Sequence, residues 1–221
     1  MLINNTALVV TDMQKYYLCD NSSYYKYFNH ISPGCLEYII ERCSKTVIPN
    51  IKKTIEFFRM HSKKIIYLRL CGKDPERKDL HRFFMETYIE GKDMGFDNIY
   101  PLEDDPQSDI LDEIKPDPED LVIDKTTFSA FTSTDIKSIL LNNRVGTLVF
   151  TGLATSQCVE TTARDASEHG FKIIHLIDAQ ADYSEVAHSS SLISSQGVCG
   201  SNLFGTDSFI NEVNAYSKAN S

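Results

Sequence analysis

Short apolar runs recur along the chain, and their alternation with helical patterns is the feature that most limits the fold. The runs are rich in β-branched residues and too short for helices, so they predict buried parallel strands. Five of them lie at residues 6–11, 64–70, 121–123, 147–151 and 172–177. This alternation predicts an α/β fold of three layers, in which a doubly wound, mainly parallel sheet carries helices on both faces.

The helical patterns lie between these runs. Apolar residues recur at helical spacing in residues 47–58, 136–140 and 159–166. Thr134 is placed to cap the second of these helices. Gly170 follows the third, where a glycine commonly ends a helix.

Three stretches are less regular. Residues 18–44 fit neither period and predict a loop followed by a short helix. Residues 71–118 are polar and contain turn signals, which favours a surface excursion over the sheet edge. Residues 189–195 are rich in serine, but their apolar members favour a helix over a linker.

Length and composition are those of an ordinary globular protein. The 221 residues are 42% hydrophobic and 24% charged, so we expect a single domain over residues 1–221 that needs neither disulfides nor metal for stability. A net charge of −9 with scattered basic residues argues against a nucleic-acid partner. There is no basic leader and no stretch of roughly 20 apolar residues, as a membrane span requires. We therefore expect a cytoplasmic protein whose six cysteines are free thiols.

Three polar residues with complementary chemistry follow strand ends. Asp12 ends the first run, Lys125 follows the third, and Cys158 lies seven positions after the fourth, at the start of a helix. In an open parallel sheet these ends form the crevice where ligands bind. The helix N-terminus and a nearby ammonium favour a thiolate at Cys158, and Asp12 can take the thiol proton and return it to a leaving amine. Singly, each residue fits an ordinary structural role, but together they favour thiol-dependent hydrolysis.

These residues lie in three conspicuous sequence blocks. The blocks are TDMQ at 11–14, DKTTFSAF at 124–131 and TGLATSQCVETTARDA at 151–166. They resemble the signature blocks of the isochorismatase-like cysteine hydrolases, in the same order along residues 6 to about 190. The third block is long and the most specific.

The resemblance implies roles for individual residues. It places Asp12, Lys125 and Cys158 in an Asp-Lys-Cys catalytic triad. It also implies a cis peptide bond between Leu153 and Ala154. The resulting turn would direct the backbone N–H groups of Ala154 and Cys158 at one point and form an oxyanion hole.

The sequence departs from some family members. Nicotinamidase-type members bind zinc through an Asp-x-His pair and a further histidine. Here Asp79-Leu80-His81 is the only such pair, and no further histidine follows until His169, so we expect no metal and no other cofactor. Members that cleave the vinyl ether of isochorismate lack the cysteine, so Cys158 favours amide cleavage.

Gln14, in the first block, is a candidate substrate contact for a carbonyl or amide group. A packing role, in which its amide satisfies the backbone, is an equally good alternative.

The sequence therefore predicts a cysteine hydrolase that cleaves a C–N bond of a small amide, carbamoyl or ureido compound through a thioester and releases ammonia. Two alternatives stay open: an isochorismate-type vinyl ether hydrolase, and a catalytically silent binding or scaffold protein of the same fold. The loops at 16–30, 71–94 and 197–205 do not identify a substrate. We also expect a homo-oligomer.

Overall fold

A six-stranded, entirely parallel sheet forms the centre of the computed structural model, which describes Ile3 and residues 5–219. The strands are β1 (Thr6–Thr11), β2 (Lys64–Leu70), β3 (Leu121–Lys125), β4 (Thr147–Gly152), β5 (Lys172–Gln180) and β6 (Asn202–Phe204). Their order across the sheet is β3-β2-β1-β4-β5-β6. The five predicted strands are confirmed, with ends that differ by at most three residues. β6 was missed because a three-residue strand has no measurable period.

Helices connect the strands. They are α1 (Lys15–Leu18), α2 (Ser23–Ile31), α3 (Glu37–Arg42), α4 (Ile48–Met60), α5 (Arg82–Asp93), α6 (Ala130–Ser133), α7 (Ile136–Asn142), α8 (Glu160–Glu168), α9 (Glu185–Cys199) and α10 (Thr206–Ala219). Two π-helical turns, Cys43–Val47 and Thr155–Val159, precede α4 and α8, and 3-10 turns occupy Pro106–Ser108 and Asp112–Ile114. The fold is thus the predicted three-layer α/β arrangement.

The predicted helix ends fit the structure. The Thr134 hydroxyl accepts a hydrogen bond from the Ile136 N–H at 3.2 Å, and Gly170, with φ +87°, follows α8. The serine-rich stretch lies inside α9, as predicted.

The prediction for residues 18–44 was wrong, because this stretch holds α2 and α3 rather than a loop and one short helix. The Ser22 hydroxyl caps α2 by accepting the Tyr25 N–H at 3.0 Å. Tyr24 and Tyr27 are the buried residues of α2. Aromatic residues also occupy its other sides, so the sequence shows no clear helical period. The polar excursion at 71–118 includes the twelve-residue helix α5.

Both faces of the sheet are covered. Alternate residues of β1 point to opposite faces, with Leu8 and Val10 in one hydrophobic cluster and Ala7 and Val9 in the other. The first cluster includes side chains of α4 and α10, and the second includes those of α7 and α8. Strands buried on both faces read as continuous apolar runs, which explains the sequence pattern.

The direction in which successive strands are added to the sheet reverses between β1 and β4, and the candidate site lies at this switch point. In open α/β sheets the crevice at the carboxyl ends of two such strands is the usual ligand site. Thr11 of β1 lies beside Gly152 of β4, where the glycine has φ +102°. A Cβ at Gly152 would lie 2.0 Å from the Thr11 carbonyl oxygen, so only glycine allows this approach.

One domain over residues 1–221 stays a prediction. Met1, Leu2, Asn4, Asn220 and Ser221 lie outside the described residues. Within the described part of the chain, no helix combines the length and apolar character of a membrane span.

Candidate active site

Asp12 lies directly after β1, in a backbone conformation uncommon for aspartate. Its φ is +51°, and its N–H donates to the Leu68 carbonyl at 2.9 Å. Left-handed non-glycine residues cost of order 1 kcal/mol and occur often at functional sites. The carboxylate is buried, and among the described residues its Oδ1 has no hydrogen-bond partner. The Cys158 thiol is within hydrogen-bonding reach of the Asp12 carboxylate, so the carboxylate can take the thiol proton.

Lys125 is the last residue of β3 and is fully buried. Its Nζ donates to Asp12 Oδ2 at 2.9 Å, to Cys158 Sγ at 3.2 Å and to the Thr127 carbonyl at 3.1 Å. An ammonium has three protons to donate, so these contacts fix its position completely. The structure thus brings together all three residues that the sequence predicted.

Cys158 lies in the π-helical turn Thr155–Val159, at the start of the helix formed with α8. Residues just after β5 hold this turn in place through hydrogen bonds. The Ser156 N–H donates to Asp182 Oδ2 at 2.6 Å, and the Thr155 N–H donates to the Ala181 carbonyl at 2.9 Å. The thiol is 3% exposed, so it faces a nearly closed space.

Burial determines the protonation of the group. It raises the pKa of Cys158 far above the ordinary thiol value, and the charge on Asp12 adds to this while Lys125 opposes it. Burial also raises the pKa of Asp12, against the opposing influence of Lys125. Burial alone would lower the pKa of Lys125, but Asp12 and Cys158 outweigh it and raise that pKa. Burial thus favours the neutral thiol of Cys158, whereas the helix N-terminus and Lys125 favour the thiolate that we expected.

The peptide bond between Leu153 and Ala154 is trans, contrary to the cis bond that the resemblance implied. Trans is the lower-energy form by about 3 kcal/mol for a bond that does not precede proline. The chain turns instead at Gly152, through its positive φ. Gln157 and Val159 both donate to the Ala154 carbonyl, at 3.0 and 3.3 Å, and the Cys158 N–H between them does not share that acceptor.

Two connected cavities lead from Cys158 toward the surface. The inner chamber, at Asp12 and Cys158, has a volume of only about 20 Å³. The outer chamber offers about 350 Å³. Tyr17, Tyr24 and Tyr183 border both chambers. The outer chamber is lined by Tyr17, Tyr24, Phe28, Ser32, Cys35, Leu36, Phe83, Phe84, Tyr100, Gln157 and Tyr183.

Comparison with known proteins identifies the family of the chain. Residues 6–201 match the family model of the isochorismatase domain. This chain belongs to the isochorismatase family. It is therefore an enzyme of the hydrolase class, on the isochorismatase-like fold.

Several relatives of this isochorismatase-family chain have names that state an activity. Ureidoacrylate amidohydrolase RutB of Rhizobium rhizogenes is 28% identical over 194 residues, covering 80% of this chain and 70% of the relative. RutB of Pantoea ananatis is 31% identical over 169 residues, covering 72% and 62%. Among solved structures, N-carbamoylsarcosine amidase from Thermoplasma acidophilum superposes with a TM-score of 0.65 at 26% identity, covering 91% of this chain and 96% of that one.

Other family structures share the fold at lower identity. An isochorismatase family protein from Desulfovibrio vulgaris has a TM-score of 0.76 at 20% identity, covering 96% of this chain and 99% of that one. The pyrazinamidase of Pyrococcus horikoshii, solved in complex with zinc, has a TM-score of 0.66 at 22% identity, covering 91% and 99%.

The residues of this family member do not fit a zinc site. Asp79 accepts the backbone N–H groups of Lys73 and Asp74, at 2.8 and 3.1 Å, and so holds a loop. His81 caps α5, its Nδ1 accepting the Phe83 N–H at 3.2 Å. Among residues 3 and 5–219, no three His, Cys, Asp or Glu side chains are grouped so that they could hold a metal ion.

Gln14 is fully buried and its amide serves the backbone. Its Nε2 donates to the carbonyls of Leu70 and Ser108, at 3.2 and 2.9 Å, and its Oε1 accepts the Leu70 N–H at 2.8 Å. Both amide protons are used, so the side chain has none to offer a substrate. This geometry favours the packing role over the substrate contact, because burial demands that the amide be satisfied.

Sequence reasoning missed the residues that anchor the Cys158 turn. Asp182 is buried beyond β5, and besides Ser156 it accepts the Tyr183 N–H at 2.8 Å. His188 of α9 lies 2.8 Å from the Thr155 hydroxyl. Asp182 follows a parallel strand, as Asp12 does, so the strand-end argument applied to β5 would have found it. No sequence signal pointed to His188.

Proposed function

We propose that this isochorismatase-family enzyme hydrolyses a C–N bond of a small amide, carbamoyl or ureido compound through a thioester on Cys158, and releases ammonia. The observation that carries the proposal is one contact set: Lys125 Nζ lies 2.9 Å from Asp12 Oδ2 and 3.2 Å from Cys158 Sγ in a buried pocket. A base, a cation and a thiol in mutual contact are what nucleophilic catalysis requires.

The first half-reaction starts with a proton transfer. Asp12 takes the thiol proton of Cys158, and the thiolate attacks the substrate carbonyl. The oxyanion accepts hydrogen bonds from the backbone N–H groups of Ala154 and Cys158, which follow the turn at Gly152 rather than a cis bond. As the tetrahedral intermediate collapses, Asp12 returns the proton to the leaving nitrogen, and ammonia departs.

The second half-reaction regenerates the thiol. A water molecule enters the place that ammonia has left, and Asp12 removes its proton as it attacks the thioester. The acyl or carbamoyl product leaves, and the proton passes to the Cys158 sulfur. The same carboxylate thus serves as base and acid in both steps, which the raised pKa of Asp12 favours.

Lys125 stabilises the anions of this cycle. Asp12 is negative at rest, and the negative charge moves to the sulfur when the thiol loses its proton. The Lys125 ammonium contacts both the Asp12 carboxylate and the Cys158 sulfur, so the negative charge stays paired with a cation during the transfer. A neutral residue at this position would leave a buried charge unpaired.

The size of the inner chamber and the names of the relatives support the substrate class. The inner chamber has room for little more than a water-sized group beside Cys158, which excludes a peptide chain that continues on both sides and favours a compact terminal group. The names of two relatives, ureidoacrylate amidohydrolase and N-carbamoylsarcosine amidase, are consistent with C–N bond cleavage by this chain.

The test measures ammonia release and product mass with a panel of small amides and ureides, alongside isochorismate. Ammonia from an amide or ureide, lost in Cys158→Ser, is the expected result. The matched control is Cys199→Ser, a half-buried thiol at the end of α9, which should keep full activity. Turnover of isochorismate alone, unaffected by Cys158→Ser, would establish the vinyl ether alternative. Inactivity on the entire panel would contradict the proposed substrate class.

The remaining expectations are separate from this chemistry. Three expectations stay predictions: the protein forms a homo-oligomer, it is cytoplasmic, and its partner is a small-molecule substrate. Gel filtration with light scattering measures the first of them directly.

A further inference from the structure

We infer that the substrate is electrically neutral and carries an aromatic or comparably large apolar group, which binds in the outer chamber. The inference rests on the proposed function for the bond that is cleaved. It adds the chemistry of the remainder of the substrate, which the sequence did not identify.

The division of space between the two chambers is the first argument. The inner chamber has room for about one water-sized group, whereas the outer chamber, at about 350 Å³, has the volume of a small-molecule site. The chambers share walls, so a ligand whose amide carbon reaches Cys158 extends into the outer chamber. The outer chamber thus has room for a second part of substantial size.

The walls of the outer chamber determine what this second part is. Seven of its eleven lining residues are aromatic, four tyrosines and three phenylalanines. The rings pack against one another: the Tyr24 and Phe28 rings are tilted with centroids 4.5 Å apart, and the Phe84 and Tyr100 rings meet edge to face at 5.2 Å. Aromatic walls in this arrangement favour a flat or apolar guest.

Charge is the second argument. In the part of the chain that the structure describes, no lysine, arginine or histidine lines either chamber. Lys125 lies beyond the inner chamber with all three of its donors used, and Asp12 contributes a carboxylate to the chamber wall. A substrate carboxylate would thus lose water without gaining a cation, which is unfavourable.

A neutral acceptor on the substrate has a partner. The hydroxyls of Tyr24 and Tyr183 lie 2.8 Å apart at the junction of the chambers. Only one proton is needed between them, so the second O–H is available to an ether, ester or carbonyl oxygen. Burial raises the pKa of Tyr24 well above its ordinary value and that of Tyr183 to about 12, so both stay protonated.

Binding to Cys158→Ser tests the charge preference apart from turnover. The probes are 4-(carbamoylmethyl)benzoate and its methyl ester, which have the same amide and ring and differ in charge. Calorimetry should show the ester binding at least about tenfold more tightly. Equal or tighter binding of the carboxylate, or no binding of either compound, would overturn the inference. Binding of the ester to the parent enzyme without ammonia release would refute the proposed function and leave the inference supported.

Introducing a positively charged side chain at the outer chamber provides the converse test. Ser32 is exposed and borders the outer chamber, so it accepts a longer side chain without affecting the core. Ser32→Arg should tighten carboxylate binding about threefold or more and leave ester binding nearly unchanged, as a partly exposed ion pair allows. Ser32→Gln is the uncharged control. The same effect from both substitutions would contradict the argument from charge.

A matched pair on α5 tests the aromatic wall. Phe83 and Ile89 are both 47% exposed on this helix, and of the two, Phe83 lines the chamber. With a neutral aromatic amide as substrate, Phe83→Ala should raise KM about fivefold with kcat within twofold of the parent. Ile89→Ala should change neither. An equal rise in KM for both variants, or an unchanged KM in Phe83→Ala, would count against the chamber as the binding site.

Discussion

Lys125 Nζ lies 2.9 Å from Asp12 Oδ2, and both side chains are excluded from solvent. The two residues belong to β3 and to the end of β1, so the lysine side chain reaches past the intervening strand β2. Two charges buried together are tolerated because each compensates the other, and either one alone is costly. The pair therefore contributes to the fold as well as to the proposed chemistry.

Breaking this pair should destabilise the protein. Lys125→Met leaves the Asp12 charge buried and unpaired, and should lower the free energy of unfolding by about 3 kcal/mol at pH 7. Asp12→Asn leaves Lys125 unpaired and should cost a similar amount. Asp12→Asn with Lys125→Met removes both charges and should recover much of the loss. Urea unfolding of the four proteins measures this coupling. Additive losses in the double variant would show that the two charges do not depend on each other.

The pH profile of kcat/KM should report the raised pKa of Asp12. The proposed base must be ionised, so activity should fall as the pH drops through a value above the ordinary 3.8 of aspartate. On the alkaline side, activity should persist until Lys125 loses its proton, above its ordinary 10.5. Initial rates with a neutral amide give the profile. An acid limb at or below 3.8 would contradict Asp12 as the base.

The rate of alkylation of Cys158 reports whether this residue is a thiol or a thiolate. Because burial raises the pKa of this thiol, iodoacetamide should modify it slowly at pH 7. Thiolate-like reactivity at neutral pH would instead favour the helix N-terminus as the dominant influence.

The position of the site could be predicted from the sequence, because the site residues follow the ends of strands. Asp12 and Lys125 occur where an apolar run stops, and parallel strands bring such ends to one edge. The strands themselves were predictable because burial on both faces leaves an unbroken apolar pattern.

What the sequence could not provide was the environment of these groups. The helix N-terminus predicted a thiolate at Cys158, but the degree of burial, which depends on the whole fold, dominates its pKa. The role of Gln14 depends on which carbonyls lie within 3.2 Å of its amide. The chambers arise where α2, α5 and the turn after β5 meet, and no local pattern describes such a meeting.

Gly152 should tolerate no side chain, for reasons of space. Gly152→Ala places a Cβ 2.0 Å from the Thr11 carbonyl oxygen and keeps φ at +102°, so it should cost more than about 3 kcal/mol and disturb Asp12 and Cys158 together. Gly170→Ala is the matched control. Its φ of +87° is similar, but no atom lies within 4 Å of the added Cβ, so it should cost about 1 kcal/mol. Thermal unfolding compares the two, and equal losses would show that φ alone matters.

His175 should make the stability of the protein depend on pH. Burial lowers the pKa of this residue of β5 from 6.5 to about 4. Its Nδ1 lies 3.2 Å from Gln180 Nε2, a donor, so the proton of the neutral ring is on Nε2 and is donated to the Ser195 hydroxyl at 2.8 Å. The folded state therefore holds the neutral ring more strongly than the unfolded state does.

The sign of the pH effect follows from this lowered pKa. The unfolded chain takes up a proton below pH 6.5 and the folded chain does so only near pH 4, so the contribution to stability is complete above 6.5 and is lost as the pH falls from 6.5 to 4. Between pH 7 and 4.5 the loss should be about 2 kcal/mol. Asn at position 175 keeps an acceptor for Gln180 but cannot be protonated, so urea unfolding of His175→Asn should lack this part of the pH dependence. His169→Asn, at an exposed site, should retain it, and a parental slope in His175→Asn would refute the assignment.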